Sequence, residues 1–384
     1  MKKFWQVNKR MIKFVLLLFI FWQIAINVVS FVSAQVLPLR EGFNYIDPTM
    51  RNPVGLWNRA NFDGVHYLNI AKNGYGVYEQ AFFPLYPRLI RFFSQFFDGK
   101  ELIAGIFISN FALLVSLFLF YKIVLLDWDE VTAKSSLVFL LLFPTAFFFG
   151  MVYTESVFLL LVLGCFYAAR KRNWFMAGVL GGLASYTRLV GIFLLPALLI
   201  EWWQTENWEG VGRKWEKLVK ATPIFFAPLG LLWYMRFLWQ KYGDPLMFVH
   251  VQPFFGAERS GGKIILLYQV FWRYLKMILT TKSDVLYFVV WLELLMAIFF
   301  LFLMVFSYKE KIRLSYLVFS VIAFLTPSLS GTFSSMPRYV LVLFPIFIYL
   351  GRIKNPLLKK IVYAIFVFLE IVCASLFLRG YWVA

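Results

Sequence analysis

The sequence is poor in acid, in cysteine and in histidine, and each shortage removes a class of protein. Asp and Glu number 20 among 384 residues, and charged residues of either sign make up 15%. An ordinary soluble domain is about 25% charged. Too little polar surface is therefore present to coat a soluble globule, and the same shortage excludes a disordered chain. Two cysteines, Cys165 and Cys373, both inside apolar runs, cannot build a disulfide scaffold or a cysteine zinc site. Two histidines, His66 and His250, argue against a histidine-rich metal centre. No cofactor is expected, and dependence on a divalent metal stays open. No glycine-rich phosphate loop follows an expected strand. What fills the chain is hydrocarbon: 61% of residues are hydrophobic and 21% aromatic, with 46 Phe. These are the proportions of a polytopic membrane protein.

The 38 Lys and Arg give a net charge of +18, but they do not form a nucleic-acid patch. They fall in short runs between apolar stretches: Lys2, Lys3, Lys9, Arg10 and Lys13; Arg170, Lys171 and Arg172; Arg213, Lys214, Lys217 and Lys220; Lys309, Lys311 and Arg313; Arg352, Lys354, Lys359 and Lys360. With a cytoplasmic N-terminus and strict alternation of spans, all five runs lie on the cytoplasmic side, as the positive-inside rule requires. The basic excess is thus a topology signal that also attracts anionic membrane lipids. No nucleic-acid partner is expected.

The first apolar run, Phe14 to Val32, is long enough to cross a hydrocarbon core of about 30 Å. It ends in Val32-Ser33-Ala34, which looks like a signal-peptidase site, but it exceeds a usual signal core and is read as a retained anchor. Further spans are expected at 102–124, 137–152, 156–169, 175–186, 189–203, 221–239, 285–306, 314–326, 340–350 and 361–378. Several fall short of ~20 residues and must tilt, stop short or line a cavity. The expectation is one integral-membrane domain over 1–384, an all-α polytopic bundle of about eleven transmembrane helices. Two long extracytoplasmic loops, 35–100 and 241–284, stand out from it. No inverted repeat of the transporter kind is found.

The first long loop holds Asn61-Phe62-Asp63-Gly64-Val65-His66-Tyr67, continuing to Asn73-Gly74-Tyr75. This reads as a short helix with Asp63 near its start and Asn73-Gly74 as its stop. Asp63, His66 and Tyr67 are spaced i, i+3, i+4 and share one face. Two readings of Asp63 stand: an N-cap worth about 1 kcal/mol to its helix, or a general base presented at the membrane surface with His66 beside it. The following Ala81-Phe82-Phe83-Pro84-Leu85-Tyr86-Pro87-Arg88 packs aromatics around two prolines and reads as a rigid extended segment or an interfacial belt.

Further on, Phe143-Pro144-Thr145-Ala146 leads to Tyr153-Thr154-Glu155-Ser156. Glu155 sits in a minimal outer turn, where it either faces a cavity or partner or caps the next span with the help of the helix dipole. Arg188, in Ser185-Tyr186-Thr187-Arg188, and Arg338, in Met336-Pro337-Arg338-Tyr339, also fall at outer helix ends. Each guanidinium suits a phosphate through its bidentate fork and equally suits lipid head groups. Asp127-Trp128-Asp129-Glu130 imitates a metal-binding acidic pair but reads as a solvated cytoplasmic helix start. Arg236, Glu293 and Glu370 are intramembrane charges expected to pair within the bundle, Arg236 with Glu293.

Taken together, these segments resemble the PIG-V family, the second mannosyltransferase of GPI-anchor synthesis and its prokaryotic relatives. The resemblance rests on Phe62-Asp63 through Ile70-Ala71, Gly74-Tyr75, Ala81-Phe82-Phe83-Pro84 and Pro87. It continues through Phe143-Pro144-Thr145-Ala146, Tyr153-Thr154-Glu155-Ser156, Thr187-Arg188 and Pro337-Arg338-Tyr339. Phe62 departs from the family pattern, in which Trp precedes the acid. The resemblance implies a GT-C glycosyltransferase acting at the outer face of the cell membrane. Its donor would be a polyprenyl-phosphate-linked sugar, most simply mannose, and its acceptor a glycan or a lipid. It implies Asp63 as catalytic base of an inverting transfer and His66, Tyr67, Glu155, Arg188 and Arg338 as substrate-binding residues, the arginines beside the leaving phosphate. A transporter or flippase of lipid-linked sugars is the rival reading and a non-catalytic envelope scaffold a third. The clustering of unusual polar residues in outer loops favours the enzyme.

The topology is directly testable by single cysteines in a Cys165→Ser, Cys373→Ser background. Asn73→Cys and Gly256→Cys should react with an impermeant thiol reagent in intact cells, and Asn173→Cys should not. The opposite labelling at either loop would invert the topology.

Overall fold

A computed structural model describes residues 2–41, 56–206 and 214–383. The 42–55 part of the first long loop, and Arg213 of the third basic run, lie outside the described residues. The described chain is helical, with 76% helix and no strand. Among the described residues, four helices are long and apolar enough to cross a membrane: Lys2–Val36, through its Lys9–Val36 part, Glu101–Val124, Val285–Lys309 and Pro356–Leu378. Their exposed side chains include Leu17, Phe21, Ile24, Phe31, Phe111, Phe302 and Phe368. Large apolar side chains facing outward on all four helices belong against lipid, and the chain is a multi-pass membrane protein.

Between these helices lie shorter ones, and proline sets most of their limits. The stretch expected as a span at 137–152 is helical only over Glu130–Leu141. Past Pro144 it becomes a 3₁₀ turn, Ala146–Gly150, whose residues are all buried. The stretch at 221–239 is broken at Pro223 and Pro228, so that Trp215–Phe226 and Leu229–Tyr242 meet at a 41° bend. The stretch at 340–350 divides into Met336–Val340 and Pro345–Gly351. Proline lacks the N–H that would continue each ladder and clashes with the preceding turn. Counted together, the four long helices, the bent pair as a fifth and the shorter Trp174–Ser185, Leu189–Thr205 and Leu314–Ser328 fall short of an observed eleven spans. Breaks such as Ala146–Gly150 and Met336–Val340 are tolerated because they are buried in protein, where side chains can satisfy the freed backbone.

Close approach is visible at the bend. A Cβ on Gly230 would lie 2.0 Å from the Gly182 carbonyl oxygen, and one on Gly178 would lie 1.8 Å from that of Pro223. Only glycine allows the Trp174–Ser185 helix to pack at this distance, the small-residue contact favoured between membrane helices.

The segment 81–88 differs from its expected extended form: Pro84 precedes and Pro87 opens a helix, Leu85–Ser94. Proline is accommodated in the first helical turn, where no intrahelical donor is lost. The pairing expected between Arg236 and Glu293 does not occur. Arg236 is exposed, whereas Glu293 accepts hydrogen bonds from the Tyr274 hydroxyl at 2.5 Å and the Ser335 N–H at 3.1 Å. The two consecutive spans assumed for that pairing are separated by a further amphipathic helix, Leu267–Thr280, whose Tyr274 reaches Glu293 instead. Glu370 takes the Trp22 indole N–H at 3.1 Å. Asp129 caps the Glu130–Leu141 helix by accepting from the Thr132 N–H, so the acidic run does open a helix.

Opposite ends of the Glu155–Arg170 helix, about 22 Å apart at 1.5 Å per residue, carry two separate polar networks. At the Arg170 end, fully buried Glu201 receives both Nε and Nη2 of Arg313, at 3.1 and 2.8 Å, and the Ser315 hydroxyl at 2.5 Å. Arg170 lies 3.5 Å from the same carboxylate and pairs with Asp127 at 2.6 Å. Arg170 and the Arg313–Ser315 segment thus close on one acid. Replacing Glu201→Ala strands Arg313 and leaves Arg170 only Asp127 as a carboxylate partner, and loss of one partner of a buried pair typically costs about 3–5 kcal/mol. The variant's melting temperature in detergent should fall well below that of Glu201→Gln, and equal melting of the two would rule out a charge-based clamp.

Candidate active site

The other network begins at Asp63. The helix Asp63–Asn73 starts at this residue and stops at Gly74, whose φ of 82° suits glycine. Phe62 precedes it at φ 59°, a left-handed value that costs a bulky residue about 1–3 kcal/mol. The Phe62 ring is held 5.6 Å from Phe377 and 5.0 Å from Trp382. Asn61 and Tyr153 fix the same turn: the Asn61 side-chain amide donates to the Phe377 carbonyl at 2.9 Å, and the Tyr153 hydroxyl donates to the Asn61 carbonyl at 2.7 Å. Asp63 does not cap its helix. Its Oδ2 accepts from Arg338 Nη1 at 2.7 Å, across 275 residues of sequence.

Arg338 is presented in a parallel way. Its short helix, Met336–Val340, follows Ser335 at φ 66°. The Ser335 N–H is held by Glu293, and the Pro337 carbonyl by the Thr145 hydroxyl at 2.8 Å. The buried guanidinium lies 5.2–5.5 Å from the Phe148, Tyr153 and Tyr339 ring centres and 3.4 Å from Glu155 Oε1. That same oxygen lies 3.2 Å from Arg188 Nη1. Burial disfavours the Arg338 charge, but Asp63 and Glu155 outweigh it and hold its proton more tightly than usual. Asp63, Arg338, Glu155 and Arg188 thus form one row of alternating charges.

Asp63, Arg188 and Arg338 line a cavity of about 1040 Å³, together with His66 and Tyr67. Glu155 does not line it: its side chain is 1% exposed and lies behind the two arginines at the start of its helix. The Tyr67 phenol is pushed above its ordinary value by burial first and by Asp63 and Glu155 next, and stays neutral.

The cavity also exposes residues that sequence reasoning missed. Arg259, from the second long loop, has no carboxylate partner among the described residues. Its contacts are Gln252 Oε1 and the Ser334 carbonyl, both at 3.3 Å, and the Tyr339 hydroxyl at 3.5 Å. Burial raises the Tyr339 hydroxyl, yet Arg259, Arg338 and Arg188 around it bring it below its ordinary value. Three guanidiniums therefore converge on one phenol. Six cations line the cavity (Arg40, Arg188, Arg259, Lys263, Arg273 and Arg338) against two carboxylates, Asp63 and Glu293. A lining of that balance selects an anion. Along one side Met277, Leu286, Val289, Val290, Ala323 and Pro327 make an apolar wall beside the Val285–Lys309 span. No three His, Cys, Asp or Glu side chains cluster as a metal site among the described residues.

The family model described as Mannosyltransferase (PIG-V) matches residues 3–205. No curated protein matches the sequence.

Glu155 neutralises two arginines from a buried position, so its removal is expected to be felt through both. Glu155→Ala should lower the melting temperature strongly, by the 3–5 kcal/mol typical of about one broken buried pair, and Glu155→Gln less so. A Glu155→Ala protein as stable as the parent would show that the row is not structural.

Proposed function

The chain belongs to the PIG-V mannosyltransferase family, and on that premise we propose that it transfers mannose from a polyprenyl-phosphate donor to a glycan or lipid acceptor, with inversion, on the extracytoplasmic side. The observation that carries this reading is the single cavity in which Asp63 and three converging arginines meet an apolar wall. A lipid-linked sugar phosphate has matching parts. Its tail lies along the Met277–Val290 side, next to the bilayer, and its phosphate meets Arg259, Arg188 and Arg338. The sugar is left beside Asp63.

In the proposed step the acceptor hydroxyl oxygen attacks the anomeric carbon while the carbon–oxygen bond to phosphate breaks. The hydroxyl proton passes to Asp63, and polyprenyl phosphate leaves with the electron pair of the broken bond. Asp63 Oδ2 is held by Arg338, which leaves Oδ1 to receive the proton. Arg338 thereby orients the base, and Arg259 and Arg188 stabilise charge growing on the phosphate. Glu155, underneath, keeps both arginines of the row in place. Cytoplasmic basic runs and about eleven spans complete the proposed topology and put the cavity outside.

Two variants test this reading. With polyprenyl-phosphate mannose as donor, Asp63→Asn keeps the side chain's shape and an acceptor for Arg338 but not its basicity, and in protein still folded at the assay temperature turnover should fall about 10²–10⁴-fold, with a lowered melting temperature from the lost ion pair. Arg259→Gln, lacking any carboxylate to strand, should raise the donor KM without altering stability. Near-normal turnover in a folded Asp63→Asn protein would remove the base, and an unchanged donor KM in Arg259→Gln would remove the phosphate contact.

A further inference from the structure

His66 follows Asp63 by three residues, a rise of about 4.5 Å along the same helix face. Both line the cavity, as do Phe82 and Phe255. The His66 ring stacks on Phe82 with centres 4.9 Å apart and meets the edge of Phe255 at 5.7 Å; the two phenyl rings are 5.3 Å apart and nearly perpendicular. The three rings pack on one another, with Phe82 buried beneath, and leave a corner where the His66 edge and Phe255 reach the cavity.

Behind that corner is Glu79, which sequence reasoning did not single out. Its side chain is 6% exposed, and its oxygens accept from Asn69 at 2.9 and 3.0 Å, from the Gly76 N–H at 2.8 Å, and from His66 Nδ1 at 3.1 Å. A Cβ on Gly76 would stand 3.0 Å from Glu79 Oε2, so glycine lets the backbone approach the acid. Burial raises the Glu79 carboxyl, but the hydrogen bonds from His66, Asn69 and Gly76 outweigh it and bring it below its ordinary value. An ionised carboxylate only accepts, so His66 Nδ1 carries the hydrogen toward it. His66 Nε2 has no partner among the described residues. The side chain is 38% exposed, whereas a histidine serving only to satisfy Glu79 would gain nothing from facing the cavity.

From this corner we infer a pyranose-binding subsite: His66 Nε2 accepts a ring hydroxyl, Phe255 takes the ring's C–H face, buried Phe82 backs the imidazole, and Glu79 is the positioning residue that fixes it. An isolated ring hydroxyl needs a polar partner and the C–H face an apolar one, and the corner supplies both from neighbouring rings. The identity of the occupant rests on the proposed function. The occupant is one of the two sugars that meet at Asp63 in the proposed transfer.

The test is saturation-transfer NMR on the purified full chain in detergent. Methyl α-mannopyranoside and methyl β-glucopyranoside serve as probes, with glycerol as a polyol that lacks a ring. At least one pyranoside should bind in preference to glycerol, and His66→Gln and Phe255→Leu, each checked for unchanged melting, should weaken it roughly three- to tenfold, about the worth of one such contact. Because the readout needs no turnover, failure of the proposed donor or base leaves this test standing. With only His66 and His250 present, ¹⁵N spectra of labelled histidine can report the tautomer. His66 should be protonated at Nδ1 in the parent and redistribute toward Nε2 in Glu79→Gln. No pyranoside binding, equal glycerol binding, binding unchanged in both variants, or a parent His66 protonated at Nε2 would each overturn the inference.

Discussion

The site depends on one ion pair formed across 275 residues, between Asp63 Oδ2 and Arg338 Nη1. Neither partner arrives by regular structure alone. Phe62 and Ser335 both adopt positive φ immediately before the helices that carry them, and such backbone persists only where surrounding contacts over-determine it. Those contacts come from elsewhere in the chain: Phe377 and Trp382 on one side, Thr145 and Glu293 on the other. Much of the bundle between residues 145 and 382 can be understood as holding two side chains in register.

Glu155 extends the pair into a row, and its burial decides its role. A carboxylate hidden behind two arginines cannot touch a ligand in the cavity, but it lets two cations sit side by side without mutual repulsion driving them apart. Arg259 has no carboxylate in an ion pair with it among the described residues and is placed to meet a ligand's charge. The cavity therefore combines a pre-neutralised pair with a guanidinium held by neutral groups, next to an apolar wall of the Val285–Lys309 helix. That combination fits an amphiphilic phosphate better than a freely soluble one, because the apolar wall would otherwise remain unpaired with anything but lipid or water.

Much of this was legible in the sequence for identifiable reasons. Composition alone dictates a multi-pass membrane protein, and the Asp63–Asn73 helix is written in its apolar spacing and its Asn73-Gly74 stop. Asp63, Arg188 and Arg338 could be singled out as charges at helix ends, but nothing in spacing tells which long-range partners they choose. Asp63 as a cap and as half of an ion pair have the same sequence signature. Proline misled the span lengths: Pro144, Pro228 and Pro345 sit within apolar runs whose hydropathy continues while the helix does not. Arg236 and Glu293 looked like partners because the amphipathic Leu267–Thr280 helix between their spans was not read. Glu79 and Arg259 lie in short 3₁₀ or irregular segments without periodicity, so only three-dimensional proximity gives them meaning.

The claim that the cavity serves a lipid-linked donor is tested most directly by donor choice. The purified full chain in detergent is offered polyprenyl-phosphate mannose and nucleotide-linked mannose in separate reactions with a glycan acceptor, and mannosyl product and released carrier are quantified. Release of polyprenyl phosphate is expected, with product whose new linkage has the anomeric configuration opposite to the donor's. Transfer from the nucleotide sugar alone, or product that retains the donor's configuration, would contradict it.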